Sequence, residues 1–139
     1  MAQNIYDDPR FLAGYSEFPR SRDGLSATSE WPAFRELLPQ IANKRVVELG
    51  CGFGQLTRWL AAEGAKDVLA FDLSETMLGR AIAETDSAAV RYRRTDLETL
   101  TLEPRSADLV VSSMTLHYLE DFDRLAKTLF AALVPGGQL

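Results

Sequence analysis

The stretch Val46-Val47-Glu48-Leu49-Gly50-Cys51-Gly52-Phe53-Gly54-Gln55-Leu56 limits the folds open to this chain more than any other. An apolar β-branched run, a glycine-rich turn and an amphipathic opening read as strand, tight turn and helix. Such a turn aims backbone N–H groups at a ligand, most often a phosphate. Glu48 runs against that reading. A carboxylate beside a pyrophosphate in a partly dry site is repelled by roughly several kcal/mol, whereas beside a cation it is attracted.

The rest of the chain repeats the same local pattern. Strands are expected at 46–49, 68–71, 90–93 and 109–112, all short and mostly apolar, with Arg91 and Arg93 in the third. A helix at 55–63 carries Leu56, Trp59 and Leu60 on one face and closes at Gly64. Ser74 caps the next helix, with Glu75 in its first turn and Met77, Leu78, Ala81 and Ile82 inward. Residues 115–119 read as one helical turn. Asp121 or Asp123 then opens a helix with Phe122, Leu125, Leu129 and Leu133 on one stripe, stopped by Pro135-Gly136-Gly137. Ahead of the first strand, Ser29 caps a helix over 30–38, with Pro32 in its first turn and Pro39 ending it.

Helices alternating with short apolar strands predict an α/β fold. It is a Rossmann-like, doubly wound parallel sheet with helices on both faces. Right-handed crossovers give the strand order 3-2-1-4 and a ligand crevice between strands 1 and 4, where the glycine turn lies. Residues 1–29, broken by Pro9, Gly14, Pro19 and Gly24, read as an irregular arm. Tyr6, Phe11, Tyr15 and Phe18 make it too apolar for a disordered tail. It either packs on the surface or forms a lid over the ligand domain expected at 30–139. Gln138-Leu139 resembles the start of a fifth strand. The sheet is therefore expected to lack its carboxy-terminal strands, leaving an apolar Leu109-Val110-Val111 edge that predicts self-association.

Composition narrows the function. The 139 residues suffice for one domain, and the formal net charge of −5 disfavours general binding to nucleic acid or an anionic membrane. Cys51 is the only cysteine, so no internal disulfide and no thiolate metal site can be built; no metal is expected. No signal peptide and no apolar run of membrane-spanning length is visible, which makes the cytoplasm the default location.

Three ligands compete for the turn. A Walker A loop is excluded, because no Lys-Ser/Thr pair follows the glycines. A dinucleotide fingerprint fits Gly50 and Gly52 but puts Gln55 where a third glycine belongs, and Glu48 opposes its phosphates. S-adenosylmethionine has no phosphate and carries an ammonium, a carboxylate and a sulfonium. Asp72 ends the second strand about twenty residues after the turn, where an acid accepts ribose hydroxyls; this would suit a nicotinamide dinucleotide equally. Asp96, after the third strand, can accept from an adenine amino group, with the N–H of Leu97 donating to a ring nitrogen. Three acids at one sheet edge call for a ligand that brings donors or positive charge.

The ordered motifs VVELGCGFG, FDLSETML, YRRTDLETL, ADLVVSSMTLHYLED and LVPGGQL resemble the class I S-adenosylmethionine-dependent methyltransferases of the small-molecule kind, over residues 41–139. The resemblance implies that Gly50 and Gly52, with Cys51 between them, line the methionine part. Asp72 would take the ribose and Leu73 and Met77 would flank the adenine. Asp96 and Leu97 would run along its edge, with Ser112 and Ser113 facing the sulfonium. Tyr15 and Arg20 of the arm are further candidates, Arg20 or Arg22 meeting a carboxylate of cofactor or substrate. Cys51 has no paired base and reads as structural. His117, the only histidine, is either a general base near the acceptor or a packing residue. Arg91, Arg93 and Arg94 read as a solvated strand face.

The implied reaction is in-line displacement at the sulfonium methyl by a small-molecule acceptor, releasing S-adenosylhomocysteine. A non-catalytic cofactor-binding module and a nicotinamide-dependent oxidoreductase remain the alternatives.

Overall fold

The computed structural model describes residues 4–139. The strands are β1 (Arg45–Leu49), β2 (Asp67–Asp72), β3 (Val90–Arg94), β4 (Ala107–Ser112) and β5 (Leu133–Gln138). They form one parallel sheet in the order β3-β2-β1-β4-β5. Val47 of central β1 pairs with Leu69 of β2 on one side and Val110 of β4 on the other. Its neighbour Val46 packs on the opposite face, so both are buried and the strand shows no polar alternation.

Helix α3 (Trp31–Leu37) and helix α4 (Gln55–Ala62) cover one face, where Val46, Val68 and Val111 meet Leu56, Leu60, Trp31 and Phe34. Helix α6 (Phe122–Ala132) covers the other, with Leu125 and Leu129 against Val47, Leu49 and Val110. Leu49, Leu60 and Leu125 are fully buried; each contributes roughly 1.5–3 kcal/mol of apolar burial. Helix α5 (Glu75–Ala83) starts at Ser74, whose hydroxyl accepts the Met77 N–H at 3.1 Å, and sets Leu78 against Cys51 and Ala70.

Several expectations are corrected. The sheet does not stop at its fourth strand. Helix α6 ends at Ala132 and the chain turns directly into β5, so Leu133, expected on the helical stripe, opens a strand. Pro135, Gly136 and Gly137 lie inside β5 and do not terminate the helix. They fall in the irregular part of its pairing, between Ala107↔Leu133 and Leu109↔Gln138. β5 occupies the edge of β4 on which self-association was expected. Ile82 and Phe122, expected inward, are 58% and 43% exposed.

Of the arm expected at 1–29, residues 4–29 fall within the described residues, and they are largely helical. Helix α1 (Pro9–Ser16) is capped by Asp8, which accepts from the N–H groups of Arg10 and Phe11 at 2.8 and 3.0 Å. Helix α2 is Pro19–Asp23. Pro9 and Pro19 break nothing: each is the first residue of a helix, where its missing N–H costs no bond. Ser29 is not a cap; Glu30 precedes α3 without a side-chain bond.

Candidate functional site

The turn after β1 is held from β2. The N–H groups of Gly50 and Cys51 donate to Phe71 O at 2.8 and 2.9 Å, and the Gly52 N–H donates to the Asp72 carboxylate at 2.8 Å. Gly50 has φ +75°, and a Cβ there would lie 1.9 Å from Thr115 Oγ1. Only glycine lets the loop after β4 close over this turn. That loop passes through Met114, which is held at φ 59°.

Above the turn lies a cavity of about 170 Å³. Its walls come from the carboxyl ends of β1, β2 and β4 and from the arm. The expected site residues Glu48, Gly50, Cys51, Gly52, Asp72, Leu73, Met77, Leu97, Ser113, Tyr15 and Arg20 all line it. Three do not. Asp96 caps the short helical turn Leu97–Thr99 by accepting the Glu98 N–H at 2.9 Å. The Ser112 hydroxyl donates to Leu49 O at 3.1 Å. His117 is exposed outside the cavity, its ring 4.2 Å from that of Tyr118, and Tyr118 is the neighbour that faces in.

Glu48 lines the cavity, yet it is only 3% exposed. The Thr57 hydroxyl of α4 donates to it at 2.5 Å. Burial pushes its carboxyl up to about 7, against the Thr57 bond, and the Asp72 charge adds to the rise. Asp72 is also raised by burial, partly offset by the N–H groups of Ser74 and Gly52. Burial, with the Glu48 and Asp72 charges, drives the Cys51 thiol upward. It is no nucleophile at neutral pH.

The arm is pinned at three places around this cavity. Asp7 accepts from the Ser74 hydroxyl at 2.5 Å and the Thr76 N–H at 3.1 Å, at the start of α5. Burial opposes ionisation of Asp7, but these bonds outweigh it and hold the carboxyl below its usual range. The Tyr6 and Tyr118 hydroxyls are 2.8 Å apart, joining the arm to the loop after β4. Gln55 Nε2 donates to the carbonyls of Arg20 and Ser21 at 2.7 and 3.3 Å. The residue that replaces the third glycine of a dinucleotide fingerprint thus docks α2. Arg20 is ion-paired with Glu30, and Arg22 with Asp23 at 3.5 Å. Arg94 pairs with Glu75 at 3.3 Å, while Arg91 and Arg93 are exposed.

Sequence reading missed Tyr118, Thr115, Ser21 and the docking role of Asp7. Only Tyr118 left a signal, as the aromatic next to the histidine singled out. Among the described residues no helix is long and apolar enough to cross a membrane, and no cluster of His, Cys, Asp and Glu is placed to hold a metal.

The donor set has a clear chemical character. Buried Glu48, part-buried Asp72 and the glycine turn, whose Gly50, Cys51 and Gly52 N–H groups are already bonded within the protein, form one part of the wall. Tyr6, Tyr15 and Tyr118 form another, with the Tyr15 ring 6.0 Å from Phe53. Acids and aromatic faces together suit a ligand bearing positive charge and hydroxyl donors.

The family model for the methyltransferase domain matches residues 47–139. A crystal structure of an S-adenosylmethionine dependent methyltransferase from Mesorhizobium loti is 49% identical with a TM-score of 0.80, covering 82% of this chain and 52% of that one. The trans-aconitate 2-methyltransferase of Variovorax paradoxus is 38% identical over 103 residues, 73% of this chain and 38% of the relative. A phosphoethanolamine N-methyltransferase of Haemonchus contortus was solved with phosphoethanolamine and S-adenosylhomocysteine. It is 27% identical with a TM-score of 0.72, covering 89% of this chain and 28% of that one. The chain thus spans about half, or less, of the length of these proteins.

Proposed function

The chain belongs to the methyltransferase domain family, and on that premise we propose that it binds S-adenosylmethionine and directs its methyl group to a small-molecule acceptor. The observation that carries this reading is the pair of acids, buried Glu48 and part-buried Asp72, lining one cavity with the glycine turn. A phosphate ligand would meet repulsion there, whereas an ammonium and ribose hydroxyls meet acceptors.

The residues present fit the cofactor. A Cβ at Gly52 would come within 3.3 Å of the Met77 side chain, so a larger residue there would press on another wall of the cavity. Glu48 and the turn from Gly50 to Gly52 hold the amino-acid part. Asp72 takes the ribose, and Leu73, Met77 and Leu97 enclose the base. Bound there, S-adenosylmethionine would supply an activated methyl group, which bonds to the acceptor nucleophile as the carbon–sulfur bond breaks and S-adenosylhomocysteine leaves.

The chain's own contribution is alignment and exclusion of water, and alignment supplies on the order of 7–11 kcal/mol. Tyr6 and Tyr15 remain neutral, their phenols raised by burial. They serve as an apolar wall with hydrogen-bonding tips and do not act as bases. The described part of the arm, residues 4–29, acts as the lid of the domain at 30–139, Asp7 fastening it to α5. The acceptor enters beside Tyr6 and Tyr118, where the arm meets the loop after β4.

Isothermal titration with S-adenosylhomocysteine and NAD tests the reading. Tight binding of the first and none of the second is expected; the reverse order would end it.

A further inference from the structure

Among the described residues two buried side-chain atoms lack a hydrogen-bond partner, Asn4 Oδ1 and Ser21 Oγ. Both residues belong to the arm and both line the cavity. Buried polar groups in folded proteins are almost always paired, so two orphans facing one cavity mark groups that a ligand completes.

Ser21 is the sharper case. It is 1% exposed. Its backbone is fully engaged: the N–H donates to Phe18 O at 2.9 Å, and the carbonyl accepts from Gln55 Nε2 at 3.3 Å and Arg80 Nη2 at 3.4 Å. The residue is therefore held in place with only its hydroxyl unspent. The surrounding charge points to an anion. Arg20 precedes Ser21, pairs with Glu30 and lines the same cavity, and Arg80 donates to the Ser21 carbonyl. The acids Glu48 and Asp72 come instead from the sheet edge. A zwitterionic group in this cavity is drawn with its ammonium toward the sheet and its carboxylate toward the arm.

We infer that the Ser21 hydroxyl donates to the carboxylate of the cofactor's amino-acid end, so that the arm reads that end of the ligand. The inference rests on the proposed function and assigns Ser21 as a specificity-determining contact.

Calorimetric titration of the wild-type chain and Ser21→Ala with three ligands tests it. S-adenosylhomocysteine carries both ammonium and carboxylate, decarboxylated S-adenosylmethionine keeps only the ammonium, and 5′-methylthioadenosine has neither. Ser21→Ala should weaken S-adenosylhomocysteine roughly tenfold, the loss of one bond to a charged group. It should leave the other two unchanged, and retained methylthioadenosine binding shows that the variant is folded. An equal loss for all three ligands, or no loss for any, overturns the inference. A loss shared by the decarboxylated ligand overturns the carboxylate assignment. If the wild-type chain binds none of the three, the proposed function falls, and this inference with it; if it binds S-adenosylhomocysteine but shows no selective loss, only the inference falls.

Discussion

Asp72 accepts the N–H of Gly52 through one carboxylate oxygen at 2.8 Å and the N–H of Ser74 through the other at 2.9 Å. The end of β2 therefore shapes both the turn after β1 and the entry to α5. An acid at this place does structural work before any ligand arrives, and Asp72→Ala should harm stability as well as binding. Two bonds to a part-buried carboxylate are lost, each worth about 1–3 kcal/mol. Thermal unfolding of the ligand-free variant should show a fall of several degrees, and titration should show weaker S-adenosylhomocysteine binding. An unshifted melting temperature would remove the bracing role.

Glu48 makes the ligand-free protein sensitive to pH. Its folded-state carboxyl lies at about 7, above the ordinary value of 4.5. The folded state thus holds the proton more tightly than the unfolded state, and stability falls as pH rises from about 4.5 to about 7. The scale is on the order of 3 kcal/mol. Glu48→Gln should remove this slope, so its stability advantage over wild type should grow between about pH 5 and about pH 8. Parallel denaturation curves at both pH values would contradict it. The same substitution should weaken cofactor binding, because the charge that opposes folding is the one offered to the ligand.

Asp7 has the opposite sign. Its folded-state carboxyl is depressed, so its contribution is present above the ordinary aspartate range and disappears as pH falls through the lower folded-state value. Asp7→Asn should loosen the arm at neutral pH by about 1 kcal/mol, the usual worth of a helix cap. Limited proteolysis should then cut near α1 faster, and S-adenosylhomocysteine should restore protection only in part. Equal cleavage rates for variant and wild type would show that the latch is idle.

His117→Ala should leave cofactor affinity and methyl transfer within about threefold of wild type, because its ring lies outside the cavity. Tyr118→Phe breaks the hydroxyl pair with Tyr6 and should change acceptor KM more than kcat. Steady-state kinetics with any acceptor that turns over compares the two. A large fall in kcat for the histidine variant alone would restore His117 as a base.

The local pattern of the chain was sufficient for much of the core. Val46 and Val47, apolar in succession, require a strand buried on both faces, and Gly50 and Gly52 require a tight turn beside a helix start. Those demands are met within a few residues, so they can be read along the chain. Ser74 capping α5 and Asp121 capping α6 are signals of the same short range. They failed where two local signals competed. Pro135-Gly136-Gly137 has the composition of a helix stop. Yet pairing with β4 recruits it into an irregular strand, because an unpaired edge is costlier than a poor one.

The tertiary structure alone decided what the side chains at the cavity do. Sequence could place Asp72 and Glu48 at strand ends, but could not show Asp72 bonded to Gly52 or Glu48 sunk against Thr57. Those contacts span 20 and 9 residues. It could find the apolar arm, but not its three pins, since the partners of Asp7, Tyr6 and Gln55 lie 67, 112 and 35 residues away. The reason is physical. Propensity and periodicity act over one or two turns of chain, whereas a binding site is assembled where distant segments meet, and only the closed packing of sheet, loop and arm brings those segments together.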